Sequence, residues 1–182
     1  AEDSIVDLMR GIDQGPEALA DVPGIAFDRP DGTRHVSPQP PLIKDLDRIP
    51  FPAWEMLPFE RYAHMNKERL FYIFTSRGCP FRCVFCQKEL TGRGFRTRSV
   101  ENILDELQEI HDKYQPGNVL FIDELFTCQK KRVYEICEGI MQRGLKLNMS
   151  CETRVAMIDY DMARTMKEAG FNRMYFVVES SS

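Results

Sequence analysis

The run Leu70-Phe71-Tyr72-Ile73-Phe74-Thr75-Ser76-Arg77-Gly78-Cys79-Pro80-Phe81-Arg82-Cys83-Val84-Phe85-Cys86 decides how this chain is read. It opens as an apolar strand, Leu70–Thr75, and the strand runs straight into a loop whose cysteines follow C-x3-C-x2-C. The loop offers three thiolates to a metal centre, Cys79, Cys83 and Cys86, and no obvious fourth. A four-iron cluster has four corners, so three protein ligands leave one iron open to a small molecule. Zinc takes four ligands in paired spacings. Here Cys128, Cys137 and Cys151 are scattered singly, and neither His64 nor His111 stands at a ligand-like spacing to the loop. A ferredoxin run has a different order and a fourth cysteine. Disulfides belong with export, and no secretory segment is visible. These comparisons favour an open cluster over zinc, and zinc over disulfides.

Beyond the loop the chain alternates. A helix is predicted over Val100–Tyr114, with Val100, Ile103, Leu104, Leu107, Ile110 and Tyr114 at helical spacing and acids on the other face. Ser99 is its N-cap and Pro116-Gly117 its stop. Strand Val119–Ile122 follows, then helix Lys130–Arg143, burying Val133, Ile136, Cys137, Ile140 and Met141. Strand Leu145–Ser150 comes next, then a helix capped by Asp159 and ended by Gly170, with Met162, Ala163, Met166 and Ala169 inward. The last strand is Met174–Val178. Strands alternating with helices build right-handed βαβ units on a parallel sheet. The series stops after the fourth strand, so the sheet is expected to end in an open edge, a pairing liability unless covered.

In parallel β/α architectures ligands gather at the carboxyl ends of strands. After the first strand comes the cysteine loop. After the second comes Asp123-Glu124, after the third Ser150-Cys151-Glu152-Thr153-Arg154, and after the fourth Glu179-Ser180. The plainer reading of each acid is a helix N-terminal charge or a solvated loop; for Arg154 it is a surface salt bridge. Cys151 reads as a buried thiol, and Cys128 and Cys137 as structural. Arg93, Arg96 and Arg98 form a small basic run whose plain reading is solvated side chains and loop hydrogen bonds.

Residues 1–60 read differently from residues 61–182. A helix is predicted from Ser4 to Asp13, with Ile5, Leu8, Met9 and Ile12 on one face. A hairpin follows: Gly24–Phe27, an Asp31-Gly32 turn, then Thr33–Val36. Pro38–Pro58 is too rich in proline for regular structure and reads as a linker pinned by Ile49, Phe51, Trp54 and Leu57. The 182 residues suffice for a sizeable core. A net charge of −4 gives no footprint for nucleic acid, and no apolar run reaches membrane-spanning length. Six cysteines without an export signal point to a reducing, cytoplasmic setting. The start at Ala1 and the stop at Ser182, just after an apolar run, suggest a piece of a longer protein.

The cysteine loop resembles the signature of radical S-adenosylmethionine (radical SAM) enzymes. The connector Asp45-Leu46-Asp47-Arg48-Ile49-Pro50-Phe51-Pro52-Ala53-Trp54 and the stretch Phe95-Arg96-Thr97-Arg98-Ser99-Val100-Glu101 are similar to those of the subfamily carrying a cobalamin-binding domain. The resemblance implies an α/β fold, a partial TIM-like barrel cut short after about four strands. Residues 1–60 would be the tail of a cobalamin domain plus its connector, and residues 61–182 an incomplete radical SAM barrel. It implies a 4Fe-4S cluster on Cys79, Cys83 and Cys86, with SAM on the open iron and cleaved to a 5′-deoxyadenosyl radical. Phe85 would lie beside the adenine, Asp123 or Glu124 would receive the SAM ammonium, Arg154 the carboxylate, and Glu179 the ribose hydroxyls. A small-molecule substrate, an electron donor such as flavodoxin or ferredoxin, and cobalamin in the full-length protein are implied with it. The activity implied is methyl transfer or cyclisation. The alternatives are a radical SAM methylthiotransferase, or an iron–sulfur or zinc module without turnover. Two departures stand out. The family's Asp-x-His-x-x-Gly cobalamin run is absent from this sequence, and Val177 stands where relatives often have glycine.

Overall fold

The computed structural model describes residues 2–62, 69–86, 92 and 94–176, which form two compact units, Ala1–Ile43 and Lys44–Ser182. The first holds helices α1 (Glu2–Gln14) and α2 (Pro16–Leu19) and an antiparallel hairpin, β1 (Ala26–Asp28) with β2 (Arg34–Val36). The Asp31-Gly32 turn closes as its residues suggest. Gly32 takes φ +83°, and the Asp31 carboxylate accepts from the Thr33 amide at 2.9 Å and its hydroxyl at 2.6 Å. On α1 the apolar residues Ile5, Met9 and Ile12 stand exposed.

The second unit begins with the connector, a short 3-10 turn at Trp54–Met56 and helix α3 (Phe59–Tyr62). In chain order there follow β3 (Leu70–Ile73), β4 (Ser76–Arg77), β5 (Arg96–Thr97), α4 (Val100–Tyr114) and β6 (Asn118–Phe121). Then come α5 (Lys130–Gln142), β7 (Met149–Thr153), α6 (Tyr160–Ala169) and β8 (Phe171–Phe176). Four strands form one parallel sheet in the order β3-β6-β7-β8. Sequential strands are thus neighbours, and α4 packs beside α5 and α5 beside α6. Three helices in one layer over one sheet face are the arrangement of an opened β/α barrel. Among the described residues no helix is long and apolar enough to cross a membrane.

The core lies between that helix layer and the sheet. Phe71 and Ile73 of β3, Val119 and Phe121 of β6, Met149 and Cys151 of β7 and Phe171 of β8 meet Ile103, Leu107, Ile136, Ile140 and Met166 of the helices. The period of two sends Tyr72 and Phe74 to the opposite, half-open face. Ser99 caps α4 through the Asn102 amide (3.2 Å), and Asp159 caps α6 through the Met162 amide (2.9 Å). Gly170, at φ +108°, ends α6.

The connector docks on this unit at three places. The Ser99 amide donates to Asp47 (2.8 Å), the Arg98 guanidinium lies over the Phe51 ring (5.3 Å), and Trp54 and Phe59 pack on Phe71 at 4.9 and 5.3 Å between ring centroids. Each aromatic pair is worth about 0.5–1.5 kcal/mol beyond its burial. Trp54 is therefore packed, as a lone tryptophan in a proline-rich stretch should be.

Several expectations shift. Strand β7 starts at Met149, not Leu145, because its pairing begins opposite Val119; Leu145 and Leu147 are buried without a strand partner. Strand β8 starts at Phe171, directly after Gly170. Its polar Asn172 and Arg173, which masked it, are tolerated on an edge strand. Met141 is exposed. Glu106 is buried, although acids were expected on the outer face of α4. It pairs with Arg98, whose guanidinium also donates to the Phe74 carbonyl (2.8 Å) and Asn102 Oδ1 (2.6 Å). Arg98 is thus a structural tie, not a solvated base.

Candidate functional site

The carboxyl ends of β3, β6 and β7 lie side by side because the strands are parallel and in register. Beyond β3 the chain reaches Thr75 and Ser76, both buried. Asp123, just past β6 and also buried, faces them. Its Oδ1 accepts the amides of Thr75 (2.6 Å) and Ser76 (3.2 Å), and its Oδ2 accepts both hydroxyls, Ser76 Oγ at 2.7 Å. Burial pushes the Asp123 carboxyl up, and the Thr75 and Ser76 bonds and the Arg132 charge pull it back. With four donors on its two oxygens, Asp123 is committed to the protein. Glu124 is not; it is exposed, and one oxygen accepts the Gly78 amide at 3.2 Å. The acidic pair is therefore divided, one carboxylate inward and one facing the loop.

The cysteine loop leaves the sheet through a two-residue antiparallel clasp, with Ser76 opposite Thr97 and Arg77 opposite Arg96. The clasp was not foreseen; two residues carry no readable periodicity. Next to it Gly78 adopts φ +84°, and an added Cβ would lie 2.4 Å from the Gly94 carbonyl oxygen. Only glycine fits there. Cys79 and Cys83 are half-buried and Cys86 is exposed; all six cysteines are free. The Cys86 amide donates to the Cys83 carbonyl (3.2 Å), turning the loop between them, and Phe85 stands exposed on that turn. Among the described residues no group of three or more His, Cys, Asp and Glu side chains is gathered to hold a metal ion. The donor set nonetheless suits an iron–sulfur cluster: three free thiols on one accessible loop with a fixed root.

Past β7, Arg154 lays its guanidinium over the Phe81 ring of the loop, 4.5 Å from the centroid. It is tied to the loop by this stack, and among the described residues it makes no salt bridge. Cys151 and Cys137 are buried and their thiols are pushed up to about 12 by desolvation, which disfavours the thiolate on both. Cys128 is half-buried and raised first by burial, then by the neighbouring Cys79. Glu179, Arg93 and His64 lie outside the described residues. The sequence reading passed over Arg132 in the first turn of α5. Its Nη2 donates to the Thr75 carbonyl at 2.6 Å from a buried position. Its place beside two lysines hid it. A surface pocket of about 460 Å³ between His111, Asp112, Gln115, Pro116 and Lys146 lies at the other end of the strands, away from the cysteines.

Comparison with known proteins completes the picture. An uncharacterised methyltransferase of Pyrococcus horikoshii is 35% identical over 177 residues, covering 97% of this chain and 38% of the relative. The anaerobic magnesium-protoporphyrin IX monomethyl ester cyclase of Rubrivivax gelatinosus is 33% identical over 188 residues, covering 100% of this chain and 33% of the relative. The chain thus spans little more than a third of these curated relatives. The solved structure of OxsB, a cobalamin-dependent S-adenosylmethionine radical enzyme, matches 97% of this chain and 27% of its own with a TM-score of 0.75 at 24% identity, which shows the shared fold. Residues 73–182, from the end of β3 through the cysteine loop and onward, match the Radical SAM superfamily. The three-cysteine loop at the carboxyl edge of a parallel β/α sheet is therefore no isolated motif, and the chain belongs to the radical SAM superfamily.

Proposed function

We propose that this chain is the cofactor-binding part of an enzyme that cleaves SAM reductively at a 4Fe-4S cluster, of the cobalamin-dependent methyltransferase or cyclase kind. The observation that carries the reading is the loop itself: three free thiols on a turn rooted at Gly78, at the strand ends where β/α sheets bind ligands. Cys79, Cys83 and Cys86 would hold three irons. When bound, the cluster and SAM supply one-electron cleavage of a carbon–sulfur bond, leading to 5′-deoxyadenosine. The chain's own residues bind and orient. Glu124, with acceptor capacity left beyond the Gly78 amide, is our choice for the SAM ammonium, since Asp123 is fully engaged. Arg154 offers the edge of a guanidinium whose face is held by Phe81, a suitable fork for the SAM carboxylate. Exposed Phe85 would cover the adenine, and Glu179 is retained for the ribose.

The names of the relatives, a methyltransferase and a cyclase, support that pair of outcomes. Cobalamin would be held by a domain for which residues 1–60 supply the tail and connector; the exposed apolar face of α1 agrees with a helix that has a further layer to cover. A small organic substrate, a cytoplasmic setting and a reductant such as flavodoxin or ferredoxin belong to the same proposal.

The test is anaerobic reconstitution with iron and sulfide, reduction in the presence of SAM, and assay of 5′-deoxyadenosine, with Cys83→Ala as control. Product that vanishes in the variant supports the reading. Stoichiometric zinc and no iron chromophore would overturn it.

A further inference from the structure

We propose that Asp123 and Arg132 are positioning residues, a buried latch that fixes where the cysteine loop leaves the sheet and hence where the Cys79 thiolate stands. The inference rests on the function proposed above and adds two residues that touch no cofactor.

Thr75 is held from both sides. Asp123 takes its amide and hydroxyl, while its carbonyl accepts from the Arg98 amide (3.0 Å) and from Arg132 Nη2 (2.6 Å). Asp123 takes both donors of Ser76 as well, and Glu124 holds the Gly78 amide. The backbone is therefore pinned at Thr75, Ser76 and Gly78, and the next residue is the first cysteine. A side chain that ligates metal is only as well placed as the backbone that carries it, and displacements of about 0.5 Å matter at such sites.

The latch is costly in ways that simple strand pairing would not require. Asp123 and Arg132 are both ionisable and buried, and desolvation disfavours the charge on each. Arg132 also sits in the first turn of α5, where a cation opposes the helix dipole. Among the described residues its Nε and Nη1 have no hydrogen-bond partner. Its compensation is first the field of Asp123, then those of Cys128 and Glu135, together with the bond to Thr75. Locally unfavourable choices of this kind collect where a site must be held in one geometry. The two groups also depend on each other: removing Asp123 takes away the largest favourable field on Arg132, and removing Arg132 takes away the favourable charge beside Asp123.

The experiment compares the full chain with Asp123→Asn, Arg132→Met and the double variant, with Arg132→Lys as the conservative control. Circular dichroism first checks that each is folded. The reduced, reconstituted cluster is then examined by electron paramagnetic resonance with and without SAM, alongside 5′-deoxyadenosine formation. The expected result is retained iron but a loss of the SAM-induced spectral change and at least a tenfold fall in product for each single variant. The double variant should lose less than the two singles combined, and Arg132→Lys should recover part of the signal. Spectra and turnover within twofold of the parent in both single variants would overturn the latch. Should the parent itself take up no iron, the proposed function fails, and the latch is judged on amide hydrogen exchange at Thr75 and Ser76. Exchange there must quicken in Asp123→Asn; unchanged exchange rejects it. If Asp123→Asn does not fold, Arg132→Met and Arg132→Lys decide by the same readouts.

Discussion

Gly78 is the residue on which the cysteine loop turns. Its φ of +84° and the 2.4 Å approach of a would-be Cβ to the Gly94 oxygen put backbone against backbone, with no flexible side chain to give way. Gly78→Ala should therefore cost about 1–3 kcal/mol in strain, and the cost should fall on the loop and not on the helix–sheet core. The expected outcome is a chain with parental circular dichroism that loads little iron; full loading would show that the root tolerates displacement. Glu124 gives a complementary prediction. Glu124→Gln keeps an oxygen for the Gly78 amide but loses the charge offered to an ammonium. Iron content should hold while the KM for SAM rises about tenfold, equivalent to roughly 1.4 kcal/mol. An unchanged KM would move the ammonium site elsewhere. At this scale the three-cysteine loop could be read directly, because its spacing is local. The division of labour between Asp123 and Glu124 could not, because it depends on which carboxylate meets Thr75 across two strands.

Helix boundaries were the most legible elements. Ser99 and Asp159 cap the helices they precede, and the apolar stripes of α4, α5 and α6 face the sheet. Asp159 also pairs with Lys130 at the start of α5, and that bond is the main reason its carboxyl is held below the ordinary value of 3.8. A carboxylate whose pKa is lowered by folding stabilises the fold above its unfolded value, near pH 4, and the contribution is lost as pH falls through the lower folded value. Asp159→Asn retains the cap acceptor and removes the charge. Its thermal midpoint should lie below the parent's at pH 7, and the gap should close as the pH falls through the lowered folded value. A gap that stays constant across this range would mean the ion pair contributes nothing. Strand limits were less legible. Leu145 and Leu147 alternate like a strand, yet pairing starts at Met149, since a strand exists only where a partner lies beside it.

At the scale of the whole molecule, the four-stranded sheet formed by the described residues leaves apolar surface exposed. Tyr175 and Phe176 on β8 are 44% and 42% exposed, and β8 has no neighbour on its outer side among the described residues. An uncovered edge invites pairing with another chain. The isolated chain should self-associate as its concentration rises, and Tyr175→Lys should suppress that association in light scattering. Equal scattering by both would show that the edge is already protected. The opposite edge, β3, is flanked by the connector, whose Trp54 and Phe59 rest on Phe71.

By itself the sequence determined the order of the four parallel strands and the three helices between them, the caps, and the three-thiol loop, because periodicity, capping chemistry and cysteine spacing act over a few residues. It also carried the resemblance to the radical SAM superfamily. Only the tertiary structure decided that Arg98 is a tie to the buried Glu106 and that Arg154 stacks on Phe81. It alone decided that Asp123 and Arg132 grip Thr75 from different elements. Except for Arg98 and Glu106, eight residues apart, those partners lie tens of residues apart along the chain. Which long side chain reaches which backbone group is set by strand register and helix placement, and neither leaves a local pattern to read.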